Sequence, residues 1–207
     1  MFPSAEVRWF WRDLCPPQIH DWFFKTGLKP GGGRPRIDRY LCLPNNREIG
    51  VKQRGDEPGL EIKGLVAIQI NPAIRMFGNH LEIWCKWSTT SSFLQATKKV
   101  AVTKTRWFRQ FDLSESIRVE VPLDSNEKPQ FGYSLPVQGC NVELTEVQLP
   151  NRSEAWWTLG FEAFGDLDHV SINLTRVMRA EASVLAGVVP SGAFLSYPSW
   201  LLARLAD

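Results

Sequence analysis

The stretch AEVRWFWR, residues 5–12, decides how this chain folds. Successive side chains of a β-strand point to opposite faces, so residues two apart share a side. Glu6, Arg8 and Arg12 then stand opposite Val7, Trp9 and Trp11. The same sorting repeats further on. Glu48, Lys52 and Arg54 oppose Ile49 and Val51, and Glu61 and Lys63 oppose Leu60, Ile62 and Gly64. Glu82, Trp84 and Lys86 oppose Ile83, Cys85 and Trp87, while Lys104 and Arg106 align with Val102 opposite Ala101, Thr103 and Thr105. Arg118 with Glu120, Glu143 with Thr145, and Thr158 with Glu162 continue the series.

Runs rich in Val, Ile, Trp, Phe and Tyr, punctuated by Gly, Pro, Asn and Asp, predict nine strands. They cover residues 5–12, 36–43, 48–54, 60–66, 80–87, 99–108, 117–123, 140–149 and 156–164. The expected fold is mainly β (α+β): an antiparallel, eight- to nine-stranded closed barrel or tunnel with covering helices and a helical C-terminal segment. Residues 1–165 form the tunnel domain, and 166–207 pack on it. Pro16-Pro17 followed by QIHDWFFKTG puts Ile19, Trp22 and Phe23 at helical spacing with Gly27 as a stop. HVSINLTRVMRAEASVLAG puts Val170, Leu174, Val177, Met178 and Leu185 on one face, ended by Gly187 and Pro190. SYPSWLLARLAD adds a short amphipathic turn or helix. KPGGGRP, residues 29–35, lacks the GK[ST] ending of a phosphate loop and is expected to be a flexible hairpin connection. Residues 55–59, 88–92 and 124–138 read as further loops.

The chain's 207 residues suffice for one core without staples. Its 24 Lys and Arg nearly balance 22 Asp and Glu, and the formal net charge is +2. That balance disfavours a disordered tail and a nucleic-acid binder that relies on a basic excess. A basic, aromatic run, Lys98 and Lys99 with Lys104, Arg106, Trp107 and Arg109, is the feature an RNA-binding strand would offer. No secretory signal is evident at the N-terminus, and residues 182–195 are too short to span a bilayer and contain Gly187, Pro190 and Gly192. A cytoplasmic protein with no membrane partner is expected. Cys15, Cys42, Cys85 and Cys140 are scattered without a CxxC pair, so reduced thiols are expected rather than zinc. His20, His80 and His169 are isolated.

Charged alternate positions usually mean a half-buried sheet with one wet face. Two features argue otherwise. The apolar faces are heavy with Trp and Phe and have helices to cover them, and Lys and Arg recur at two-residue spacing beside Glu on strand after strand. If the sheet closes, these charges point into a lumen where acids and bases satisfy one another or a ligand. A polyanion with metal ions suits such a lumen.

Glu6-Val-Arg8, Lys52-Gln-Arg54, Glu61-Ile-Lys63, Lys104-Thr-Arg106 and Val142-Glu143-Leu-Thr-Glu146, in that order, resemble the CYTH (CyaB/thiamine triphosphatase) family of triphosphate tunnel metalloenzymes over roughly residues 5–164. The resemblance implies an eight-stranded antiparallel tunnel that holds a triphosphate or linear polyphosphate compound and hydrolyses it with Mg2+ or Mn2+. It assigns Arg8, Lys52, Arg54, Lys63, Lys86, Lys104 and Arg106 to phosphate, and Glu6, Glu120 and Glu143 to metal. Arginine binds phosphate in bidentate fashion, and hard cations on carboxylates polarise phosphoryl oxygens. The first strand departs from the family's ExExK: Arg8 replaces the second acid and Phe10 the lysine. The alternative expectation is therefore a non-catalytic phospholigand-binding or interaction module that has lost the metal site.

Overall fold

A computed structural model describes residues 1–41, 43–78, 80–90 and 99–205. Its strands are β1 (Phe2–Arg12), β2 (Gly31–Leu41), β3 (Ile49–Gln53), β4 (Leu60–Ile70), β5 (His80–Thr89), β6 (Lys99–Asp112), β7 (Val119–Val121), β8 (Gly139–Gln148), β9 (Ala155–Phe164) and β10 (Ala193–Phe194). Eight of them close into an antiparallel barrel in the order β1-β5-β4-β3-β2-β6-β8-β9, with β9 returning to β1. Closure follows from a split edge. β1 pairs with β9 from Ser4 to Arg12, while its other edge pairs with β5 from Phe2 to Glu6 and with β10 at Trp9 and Phe10. β7 lies outside the ring on the far end of β6.

All nine expected strands are present, and the two-residue β10 is additional. The triple glycine differs from expectation: Gly31, Gly32 and Gly33 belong to β2, with Gly31 and Gly32 paired to β6 and Gly33 inside the bulge between Gly32 and Pro35. Close approach explains it. At Gly32 (φ +87°) a Cβ would sit 2.5 Å from the Arg106 carbonyl oxygen, and at Gly33 (φ +84°) 2.8 Å from the Trp107 indole nitrogen. Only glycine lets β2 press onto β6 there.

The larger core lies outside the barrel. Helix α1 (Pro17–Lys25) buries Ile19, Trp22 and Phe23, and α2 (Leu167–Ala180) buries Val170, Leu174, Val177 and Met178. They cover Val7, Trp9, Leu144, Leu159 and Phe161, which occupy the apolar positions of β1, β8 and β9. Burying each large side chain contributes about 1.5–3 kcal/mol. The helix expected to run on to Gly187 stops at Glu181 and resumes as the single turn α3 (Ala182–Leu185). The Glu181 carboxylate accepts from Trp22 Nε1 at 2.9 Å and pairs with Arg118, which anchors the break to α1 and to the segment before β7. Helix α4 (Tyr197–Leu205) does not join this outer core. Its Trp200 and Leu201 cluster with Phe10, Tyr40, Val102, Val147 and Leu149. Cys15, Cys85 and Cys140 are free thiols. Among the described residues, no helix is long and apolar enough to cross a membrane.

Candidate functional site

Placing the apolar positions outside forces the alternate positions inward, and the barrel lumen is charged. One cavity, with about 980 Å3 of empty space including its open end, is lined by eight basic side chains and five glutamates. All seven residues expected to face phosphate line it: Arg8, Lys52, Arg54, Lys63, Lys86, Lys104 and Arg106. Glu6 and Glu143 do too. Glu61, Glu82 and Glu162, set on the charged faces by the sequence pattern but given no role, join them, as do Arg36, Tyr40 and Tyr197, which the sequence did not single out. The run that resembled an RNA-binding strand divides between faces. Lys104 and Arg106 enter the cavity, while Arg109 lies against Trp22, Phe23 and Phe111 on the outer side. Lys98 lies outside the described residues.

Glu120 does not reach the lumen. β7 sets it directly opposite Phe111, so it shares the outer face of β6, and it takes Arg109 at 2.6 and 2.8 Å beneath α1. A metal role beside Glu6 and Glu143 is therefore corrected by strand parity.

The lumen's bases are ion-paired with its acids. Glu143 accepts from Arg8 at 2.8 Å and from Arg106 at 2.5 Å. Glu127, carried in by the loop between β7 and β8, pairs with Arg106 and, at 3.0 Å, with Arg54. Asp38 takes Arg36 at 3.0 Å and lies 3.6 Å from Lys104. Lys52 meets Glu61 at 3.0 Å, Lys86 meets Glu162 at 3.5 Å, and Lys63 pairs with Glu6.

These partners decide which groups stay charged. Burial works against the Glu143 carboxylate, yet Arg106 and Arg8 outweigh it and hold its pKa well below the usual range. Burial likewise opposes ionisation of Asp38, but Lys104, Lys52 and Arg36 bring it down to about 2. Glu82 goes the other way: burial raises it and Glu6 adds to the rise, although Trp84 Nε1 donates to it at 2.9 Å. Lys104 is the exception among the bases. Burial pushes it well below the usual lysine value, Asp38 offsets this only in part, and Lys52, Arg8 and Arg36 push the same way.

Register sets Glu162, Glu6 and Glu82 side by side on β9, β1 and β5. Their oxygens turn to Lys86, Lys63 and Trp84, and among the described residues no three acid, His or Cys side chains gather as a metal-ligand set. The carboxylates have the chemistry of hard-cation ligands, with their charge committed to lysines and arginines.

Arg8 depends on a local feature of β9. Its guanidinium lies flat on Gly160, where an added Cβ would come within 2.5 and 2.7 Å of both terminal nitrogens. Gly160→Ala must therefore displace Arg8 from Glu143. We expect a stability loss of about 1–3 kcal/mol in denaturant unfolding. An unchanged midpoint would show that Arg8 has room to give.

Fold and site together define a class: a closed eight-stranded antiparallel barrel whose lumen carries buried, ion-paired bases and acids. No family model matches the chain, and no curated protein matches it.

Proposed function

We propose that the barrel binds a triphosphate or short linear polyphosphate compound in its lumen, in the manner the CYTH-like pattern implies. One observation carries the reading. Six consecutive members of the ring, β1, β5, β4, β3, β2 and β6, each send at least one Lys or Arg into a single cavity, with Arg54 directly after β3. A linear polyanion presents charge every few ångströms, and a row of bases from neighbouring strands matches it better than it matches a compact anion. Arginines such as Arg8 and Arg106 can grip phosphoryl oxygens bidentately, and the lysines act as point charges.

The glutamates give the second half of the reading. A phosphate chain that takes Lys63 and Lys86 leaves Glu6 and Glu162 without their cationic partners, and Mg2+ or Mn2+ would restore the balance beside Glu6 and Glu143. Such an ion would polarise phosphoryl oxygens, which is the contribution hydrolysis needs. The ion pairs of Arg8 and Arg106 with Glu143 favour the alternative, a phospholigand-binding module without turnover.

Calorimetry with tripolyphosphate, ATP and thiamine triphosphate, paired with phosphate-release assays in Mg2+, Mn2+ and EDTA, tests both. Binding with metal-dependent release makes the protein a phosphohydrolase, and binding that survives EDTA without release makes it a module. If none of the three binds, the proposal falls.

A further inference from the structure

The lumen has one open and one sealed end. Exposure falls along it: the side chains of Lys86, Arg54 and Lys63 are 40, 31 and 27% exposed, those of Arg8 and Lys104 only 9 and 4%. Past Arg8 and Lys104 the inward positions turn apolar on strand after strand. On β1, Arg8 is followed by Phe10; on β6, Lys104 is preceded by Val102; on β8, Thr145 is followed by Val147. Helix α4 plugs this apolar ring. Trp200 stacks on Phe10 with centroids 5.1 Å apart and 5° between planes, and Tyr197 stacks on Tyr40 at 6.0 Å.

The N-terminus of α4 forms the floor. Ser196, Tyr197 and Pro198 line the cavity, so the positive end of the helix faces the lumen. Arg8 and Lys104 lie over the Tyr197 ring, 4.7 and 3.6 Å from its centroid. An independent observation also points to a ligand here. Thr145, 1% exposed and lining the same cavity, has a fully buried Oγ1 with no hydrogen-bond partner among the described residues. Buried hydroxyls are ordinarily satisfied. Lys104 beside it donates to Tyr40 Oη at 2.5 Å and lies 3.6 Å from Asp38, while burial and the neighbouring Lys52, Arg8 and Arg36 hold its pKa low.

We propose that this closed end seats one terminal phosphoryl group, so that the ligand enters end-first and must carry an uncapped phosphate terminus. The inference rests on the polyphosphate reading above and adds the substrate class. A terminal phosphoryl has three free oxygens and the highest charge in the chain, and Arg8, Lys104 and Thr145 supply three donors. An internal phosphate, bridged through oxygen on two sides, has to continue in both directions, and the Phe10–Trp200 stack blocks one of them.

Calorimetry on the full chain compares ATP, which has one free end, with diadenosine tetraphosphate, matched in charge but capped at both ends. Tripolyphosphate and cyclic trimetaphosphate form a second pair. We expect the free-ended member of each pair to bind at least tenfold more tightly. We also expect Thr145→Val to weaken tripolyphosphate several-fold while leaving the melting temperature unchanged or raised, because it removes an unpartnered buried hydroxyl. Capped or cyclic ligands binding as tightly as free-ended ones would overturn the end-first seat and leave the polyphosphate reading standing. A folded Thr145→Val protein of unchanged affinity would overturn the seat as well. Absence of binding by every compound would remove the polyphosphate reading and the seat with it.

Discussion

Glu143→Gln should lower folding stability by roughly 3–5 kcal/mol, the usual consequence of removing one partner from a buried ion pair. Glu143 is 7% exposed and answers two arginines. Arg106 keeps Glu127, but Arg8 keeps only a 3.4 Å contact to Thr158 and the Tyr197 ring. The damage is therefore a stranded guanidinium in the barrel interior. Glu154→Gln is the control: its partner Arg12 is 56% exposed, and surface pairs contribute about 0–1 kcal/mol. Acid should erase the contrast. Because the folded carboxyl has the lower pKa, the unfolded chain takes up the proton first. The stabilisation is thus full above the ordinary carboxylate range and fades as pH falls toward the folded value. Urea unfolding of wild type and Glu143→Gln should show a gap that is constant near neutrality and narrows progressively below about pH 4. A gap under about 1 kcal/mol at neutral pH would mean that the lumen does not depend on this pair.

Why the seven bases were legible, while their partners Asp38 and Glu127 were not, comes down to the range of the signal. Period two is local, so residues 52 and 54, or 104 and 106, declare a shared face within their own strand. Whether that face is wet or enclosed is a property of closure, which rests on β1 meeting β9 across 150 residues of sequence, as at Arg8 and Thr158. Glu120 went astray because β7 has three residues, and its face is set by register against Phe111 rather than by any pattern of its own. Glu127 had no local signal at all. It sits in a loop at φ 63° and gains its role from reaching Arg54 and Arg106. Phe10 was legible, but as a lost lysine. The structure gives it a positive reason, since the inward face of β1 has to turn apolar where Trp200 stacks. Val102 and Val147 repeat that change on β6 and β8.

Trp200→Ala should remove the seal, with a stability loss of roughly 3–5 kcal/mol, the range for truncating a large buried aromatic. Trp200 is 1% exposed, stacks on Phe10, and meets Trp156 and Tyr197 edge-on at 5.9 and 6.2 Å. Its indole N–H has no partner among the described residues, so the loss comes from packing and the cavity left behind, not from a broken hydrogen bond. That separates two substitutions. Trp200→Phe keeps most of the stack and discards an unsatisfied donor, so it should cost no more than about 1.5 kcal/mol. A polar role for the indole would make the two variants equally damaging, whereas a packing role spares the phenylalanine. The effect should also reach Lys104. Burial is the leading cause of its lowered pKa, and water entering past a truncated residue 200 weakens that cause. The Lys104 amine should therefore titrate closer to the ordinary lysine range in Trp200→Ala, as read by NMR or by the pH dependence of amine labelling. It should remain depressed in Trp200→Phe. Identical titration in all three proteins would mean that neighbouring cations, not the sealed end, hold Lys104 down.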